Sequence, residues 1–248
     1  MARLALAMCC LFLLVAGAQA GTITFVPPNS PAIGPWNTVS QTIGGIEIHA
    51  FQFTGSTWID GSPLTLFGRN QSNDHGVGVC SRFDGTGCGT SGTGGGDYNE
   101  LDNAGGAEII RLTLPDGYSW DSVQVSSLDQ NSDPSHPANW ERGQLFGSSF
   151  ADPNVAAGNN TLLCNFVTGG SANNFCTVGT GFEPVLGLIG HKNDKYLYFL
   201  AQDWQGNNTN NDYLVYAATV SQTPEPGSIL LLGAGLSGLG LLRRKFRG

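Results

Sequence analysis

The chain has 248 residues, with 11 basic and 19 acidic side chains and a pI near 4.7. One basic residue lies in the first 20 positions, and four basic and one acidic lie in the last 25. Residues 21–223 therefore keep 6 basic against 18 acidic side chains, a net charge of −12. A surface of that sign repels nucleic acid and anionic lipid, so both are excluded as partners of this central segment; it favours cations and neutral glycans, and acidic charge also keeps an exported protein soluble.

The chain opens on a single positive charge, Arg3, followed by an apolar stretch from Leu4 to Val15 and then Ala18-Gln19-Ala20. This is the layout of a secretory signal, with small residues at the two positions that a signal peptidase reads. The apolar run is too short to span a hydrocarbon layer of about 30 Å. Cys9 lies inside the run behind the bulky Met8, which argues against a lipoprotein cleavage site.

Residues 21–223 show no sustained 3.6-residue apolar period. Short β-branched and aromatic runs alternate with Gly, Asn, Pro and Ser clusters, which predicts strands and turns. The expected strands are 22–26, 46–53, 64–67, 76–80, 108–114, 120–126, 144–150, 161–167, 196–202 and 213–220. In 46–53 the apolar phase shifts from Ile46/Ile48 to Phe51/Phe53, which predicts a bulge near His49-Ala50. In 108–114, Ile110, Leu112 and Leu114 share one face and Arg111 and Thr113 the other. The fold class expected is all-β, an antiparallel two-sheet β-sandwich of jelly-roll type forming one domain, residues 21–223.

Four cysteines lie in that domain as two local pairs, Cys80 with Cys88 and Cys164 with Cys176. Four cysteines admit three connectivities; short loops and an oxidising compartment favour the local disulfides Cys80–Cys88 and Cys164–Cys176. A zinc site would want C-x-x-C spacing or neighbouring histidines, and neither is present. Between Gly85 and Gly96, seven of twelve residues are glycine. No Gly-Lys-Ser/Thr follows, so the segment reads as a surface loop rather than a phosphate cradle.

Oxygen ligands gather in two places. Asp97, Asn99, Glu100 and Asp102 follow the glycine-rich loop, with Glu100 and Asp102 on one side of an extended segment. Asp129, Asn131 and Asp133 alternate as in the first half of an EF-hand loop. Pro134 then stands where that loop needs Gly, and Trp140 where it needs Glu, so the EF-hand identity fails. Clusters of hard oxygens on sandwich loops suit Ca²⁺, and these seven residues are the candidate ligands. The plainer reading is that such residues cap turns. For glycan stacking the candidates are Trp140 and Trp204, which sit in the polar contexts Asn139-Trp140-Glu141 and Asp203-Trp204-Gln205; the remaining large aromatics are expected in the core. Catalytic signatures are missing: there is no Gly-x-Ser-x-Gly elbow in the domain and no His-Glu-x-x-His, and the four histidines are scattered singly.

The last segment is the most specific. Pro224-Glu225-Pro226 precedes sixteen uncharged residues, Gly227 to Leu242, and Arg243, Arg244, Lys245 and Arg247 close the chain. The prolines keep the approach extended. The apolar run would measure about 24 Å as a helix, enough for a thin bilayer, and the basic cluster predicts a cytoplasmic C-terminus. Residues 224–248 are thus expected to hold one transmembrane helix. The arrangement resembles the PEP-CTERM sorting signal. That resemblance implies recognition of the tripeptide by an exosortase, processing of the tail during export, and a destination at the cell surface or in an exopolysaccharide matrix.

A second resemblance lies within the domain. Gly76-Val77-Gly78-Val79, the glycine-rich loop, Asn99-Glu100-Leu101-Asp102-Asn103 and the strand opening at Glu108 look like a segment of one group of PEP-CTERM proteins, with Leu101 in place of the usual Ile. The function expected is a non-catalytic, glycan-binding or structural protein of the envelope or matrix, with extracellular polysaccharide as its partner. The alternative is a secreted hydrolase acting on that polysaccharide.

Overall fold

A computed structural model describes residues 20–26, 36–71, 74–81, 100–102, 107–128, 141–154, 160–167, 176–178, 185–188, 190–201, 212–223 and 233–235. Fifteen strands run through these residues in two antiparallel sheets. They are β1 (Ala20–Thr24), β2 (Ser40–Ile43), β3 (Ile46–Phe53), β4 (Trp58–Ile59), β5 (Thr65–Gln71), β6 (Asp74–Cys80), β7 (Leu101–Asp102) and β8 (Glu108–Thr113). The series continues with β9 (Tyr118–Ser126), β10 (Arg142–Ser148), β11 (Asn160–Val167), β12 (Cys176–Val178), β13 (Val185–Leu188), β14 (Tyr196–Leu200) and β15 (Asp212–Gln222).

One sheet has the order β12-β13-β9-β15-β6-β5, with β1 and β7 also on β15; the other has the order β11-β10-β14-β8-β3-β2, with β4 on β3. Residues of both sheets meet in a single core that includes Ile46, Ile48, Ile110, Leu112, Leu197 and Phe199 from one and Val77, Val79, Trp120, Val123, Val125 and Val215 from the other. Each large apolar side chain removed from water there contributes about 1.5–3 kcal/mol. The protein is an all-β sandwich.

All ten strands expected from the sequence are present. The five that the sequence does not announce (β2, β4, β7, β12 and β13) are two to four residues long, too short for a period to show. The bulge expected at His49-Ala50 is absent: β3 stays in continuous register with β8 from Glu47↔Thr113 to Gln52↔Glu108. The apolar phase changes because both faces of β3 are covered. Ile46, Ile48 and Ala50 point into the core, while Phe51 is buried in a second cluster on the outer face, with Ile109, Tyr198 and Leu200. Strand 144–150 is displaced as well. It begins at Arg142 and ends at Ser148, leaving Phe150 56% exposed.

The registers sort the strand ends into two groups. At one end lie Ala20, Gln222, Tyr118, the Gly44-Gly45 turn and the 190–195 segment, since Ala20 pairs with Ser221, Gln222 with Tyr118 and Tyr196 with Thr113. We call this the tether end, because the two chain segments outside the sandwich leave from it. The opposite, loop end holds Phe53, Cys80, Leu101, Glu108, Ser126, Arg142 and Asp212. The β2–β3 turn needs glycine: both Gly44 (φ 57°) and Gly45 (φ 88°) have positive φ, as a tight two-residue hairpin demands.

Residues 233–235 are helical. Among the described residues no helix is long and apolar enough to cross a membrane. Residues 1–19 of the expected signal 1–20, the tripeptide Pro224-Glu225-Pro226 and the basic residues Arg243, Arg244, Lys245 and Arg247 lie outside them, while Ala20 opens β1.

Candidate functional site

At the loop end an acidic group is buried against the sandwich. Glu100 is 2% exposed and its carboxylate is held by the Arg69 guanidinium and by the Ser127 hydroxyl at 2.9 Å. Two residues on, the Asp102 backbone N–H donates to Glu108 Oε2 at 3.2 Å, and Gln52 Nε2 donates to the other oxygen of Glu108 at 3.5 Å. Glu108 is fully buried at the start of β8, and Glu141 and Arg142 are buried at the start of β10. Charges are tolerated there because each has partners; a lone buried carboxylate would shed its charge instead.

This sharpens the cation expectation. The structure places Glu100 and Asp102 at the loop end, and Glu100 already faces a guanidinium and packs as half of an ion pair. No group of three or more Asp, Glu, His or Cys side chains arranged to hold a metal occurs among the described residues. Asp97, Asn99, Asp129, Asn131 and Asp133, and the stacking candidates Trp140 and Trp204, lie outside those residues. Cys80 and Cys164 are both disulfide-bonded. Cys88 and the side chain of Cys176, the partners expected from the sequence, lie outside the described side chains. The backbone of Cys176 stands on β12, which neighbours β11, the strand of Cys164, although the two strands belong to different sheets.

A second constellation escaped the sequence reading. On the outer face of the β3–β8–β14–β10 sheet, His49, Arg111, Tyr198 and Phe146 form one row across four strands, because each is the register partner of the next. Arg111 lies between two rings, with its guanidinium carbon 5.2 Å from the Phe51 centroid and 5.3 Å from that of Tyr196. His49 stacks on Phe51 at 4.5 Å and 14°. Glu47 stands 3.6 Å from Arg111 and accepts hydrogen bonds from Thr113 Oγ1 (3.0 Å) and Ser40 Oγ (3.2 Å). Tyr198 donates its hydroxyl to the Phe150 carbonyl at 2.8 Å.

Electrostatics follow from this packing. Burial raises the Glu47 carboxyl, but Thr113, Arg111 and Ser40 together outweigh it and hold the pKa below the ordinary value. Burial, reinforced by Arg111, pushes the His49 imidazole down, with Asp60 and Glu47 offsetting only part of it. Burial pushes the Tyr198 phenol up to about 12. The face is therefore built around a neutral imidazole, a fixed cation and a fixed anion. Rings with exposed edge or face stand at both margins: Tyr196 and Phe150 towards the tether end, Phe53 and Trp58 towards the loop end. The sequence signal that could have found it was the switch of apolar phase in β3, together with Arg111 on the polar side of β8.

Comparison with known families adds the decisive observation at the other end of the molecule. Residues 222–245 match the PEP-CTERM protein-sorting motif. The chain carries a PEP-CTERM sorting signal. The match begins on the last residue of β15, so this signal follows the sandwich directly. It implies export to the cell surface or extracellular space and processing by an exosortase. No curated protein matches the chain.

Proposed function

We propose that this exosortase-sorted protein is a non-catalytic component of the cell surface or extracellular matrix that holds polysaccharide on the outer face of the β3–β8–β14–β10 sheet. The observation that carries the reading is the set of exposed and half-exposed rings, Tyr196, Phe150, Phe53 and Trp58, that borders this face, with Arg111 held between Phe51 and Tyr196 at its centre. Sugar rings present apolar C–H faces that pack on aromatic faces and hydroxyls that bond to guanidinium and carboxylate groups. From the level of Ala107 to that of Thr113 the strip runs roughly 20 Å along β8, which suits an extended glycan more than a single sugar. The net charge of −12 on residues 21–223 favours a neutral polymer.

The test is binding of residues 21–223 to the extracellular polysaccharide of the producing cells, with and without a chelator. Phe150→Ala should weaken binding at least several-fold while leaving the unfolding midpoint near that of the parent, and Tyr196→Ala should weaken binding as much with some loss of midpoint, since its ring also packs on Arg111. Absence of binding by the parent chain in both conditions would sink the glycan reading and leave a structural role. Chelator-sensitive binding would support candidate Ca²⁺ sites at the loop end. Hydrolysis of the polymer would replace the reading with that of a secreted hydrolase.

A further inference from the structure

The chain meets the tether end twice. β1 begins at Ala20, the last residue of the expected secretory signal, and Ala20 pairs with Ser221 near the end of β15. After Gln222, the Thr223 N–H donates to the Gly117 carbonyl at 2.7 Å, and the sorting tripeptide starts at the next residue. No linker separates the sandwich from the signal. The apolar run of the tail begins at Gly227, five residues past Gln222, and that of the leader ends at Val15, five residues before Ala20. Five residues reach at most about 17 Å. The segments that carry the two apolar runs are therefore joined to the sandwich at neighbouring points on one end of it, Ala20 and Thr223, by short stretches of sequence.

We propose that the tether end of the sandwich is held against the membrane surface until the tail is processed, with the loop end directed away from it. The inference rests on the sorting reading given above, and two further features agree with it. First, both lysines of the domain, Lys192 and Lys195, stand at the tether end, and although each is paired with an aspartate, Asp121 or Asp116, both reach solvent there; an anionic bilayer surface attracts such cations. Second, a depression of about 360 Å³, lined among others by Gly21, Ile23, Tyr118, Val220 and Gln222, opens beside both exit points. β15 spans 11 residues, roughly 36 Å, so the loop end stands well beyond the reach of the headgroups. The glycan-facing sheet then rises from the membrane instead of lying on it.

A fluorescent amino acid placed at Tyr118 (tether end, 38% exposed) or at Ser56 (loop end, exposed) reads the orientation directly. The full chain carrying Pro226→Ala is reconstituted in vesicles of phosphatidylethanolamine and phosphatidylglycerol that hold a headgroup-quencher lipid. The proposal expects quenching at position 118 at least twofold stronger than at position 56. A chain that floats with the vesicles but shows equal quenching at both sites, or more at position 56, overturns the orientation alone. A chain that fails to float overturns the anchor itself, and the orientation with it. Should the probe at position 118 perturb folding, Asp116, fully exposed in the neighbouring turn, serves as the second tether-end site under the same criterion.

Discussion

The two ends of the sandwich solve opposite problems. At the loop end, Arg69, Glu100, Asp102, Glu108, Glu141 and Arg142 carry charge in or beside the protein interior, and partners such as Arg69 on Glu100 and Gln52 on Glu108 keep those charges tolerable. At the tether end the lysines reach solvent: Lys195 faces an Asp116 whose side chain is fully exposed, and Lys192 is half exposed against Asp121. Order there comes from backbone geometry instead, from the Gly44-Gly45 turn and from Trp120, whose backbone N–H and ring N–H donate to the carbonyls of Lys192 and Asp194 at 2.7 and 2.8 Å. Buried polar pairs fix where loops begin, at an energetic risk if one partner is lost; exposed pairs carry no such risk and fix little.

That contrast can be broken most sharply at Arg69. Arg69→Met should cost about 3–5 kcal/mol in urea unfolding, because it strands the buried Glu100 carboxylate. A cost under about 1 kcal/mol would mean that Glu100 finds another partner and that the loop end is not organised by this pair. Gly44→Ala probes the tether end. Its Cβ would fall 2.7 Å from Ile23 Cγ2 at a φ of +57°, so a loss of roughly 1–3 kcal/mol is expected, read as a lowered thermal midpoint. An unchanged midpoint would show that β1 gives way freely and does not brace the turn.

A third, smaller effect concerns pH. The folded pKa of His49 lies below the ordinary 6.5, so the unfolded chain binds the proton more readily. The stability tied to the neutral imidazole is complete above 6.5 and is lost as pH falls through the folded value. His49→Gln should therefore flatten the thermal midpoint against pH just below 6.5, without abolishing the deeper acid loss to which Glu47, with its lowered pKa, contributes. Equal slopes for parent and variant would remove His49 from the account. The smallest effect is at Lys195→Ala, which should leave the unfolding midpoint unchanged within error, since its partner Asp116 sits wholly in solvent. A measurable loss there would assign the tether end an electrostatic role that the geometry does not support.

Legibility followed length and periodicity. β8 was readable because Ile110, Leu112 and Leu114 alternate with Arg111 and Thr113, and the observed burial repeats that alternation. β7 and β12, two and three residues long, offer no period to read. β3 misled because alternation reports a single buried face, whereas this strand has two, and the outer one is covered by partners from β8 and β14 that are distant in sequence. For the same reason the site was only half visible. Glu100 and Asp102 stood out as acidic residues, but the guanidinium facing Glu100 comes from 31 positions away.

The sequence by itself determined the address and the fold class. Pro-Glu-Pro, an uncharged run and a basic cluster act locally and in order, and the alternation of residues along each long strand is a local property that survives without knowledge of its neighbours. Only the tertiary structure decided which charges are paired, that an arginine and aromatic rings share one outer face, and that both termini of the sandwich leave from the same end. Those are matters of register between strands, and register is set by the summed fit of distant segments, which no local stretch of sequence contains.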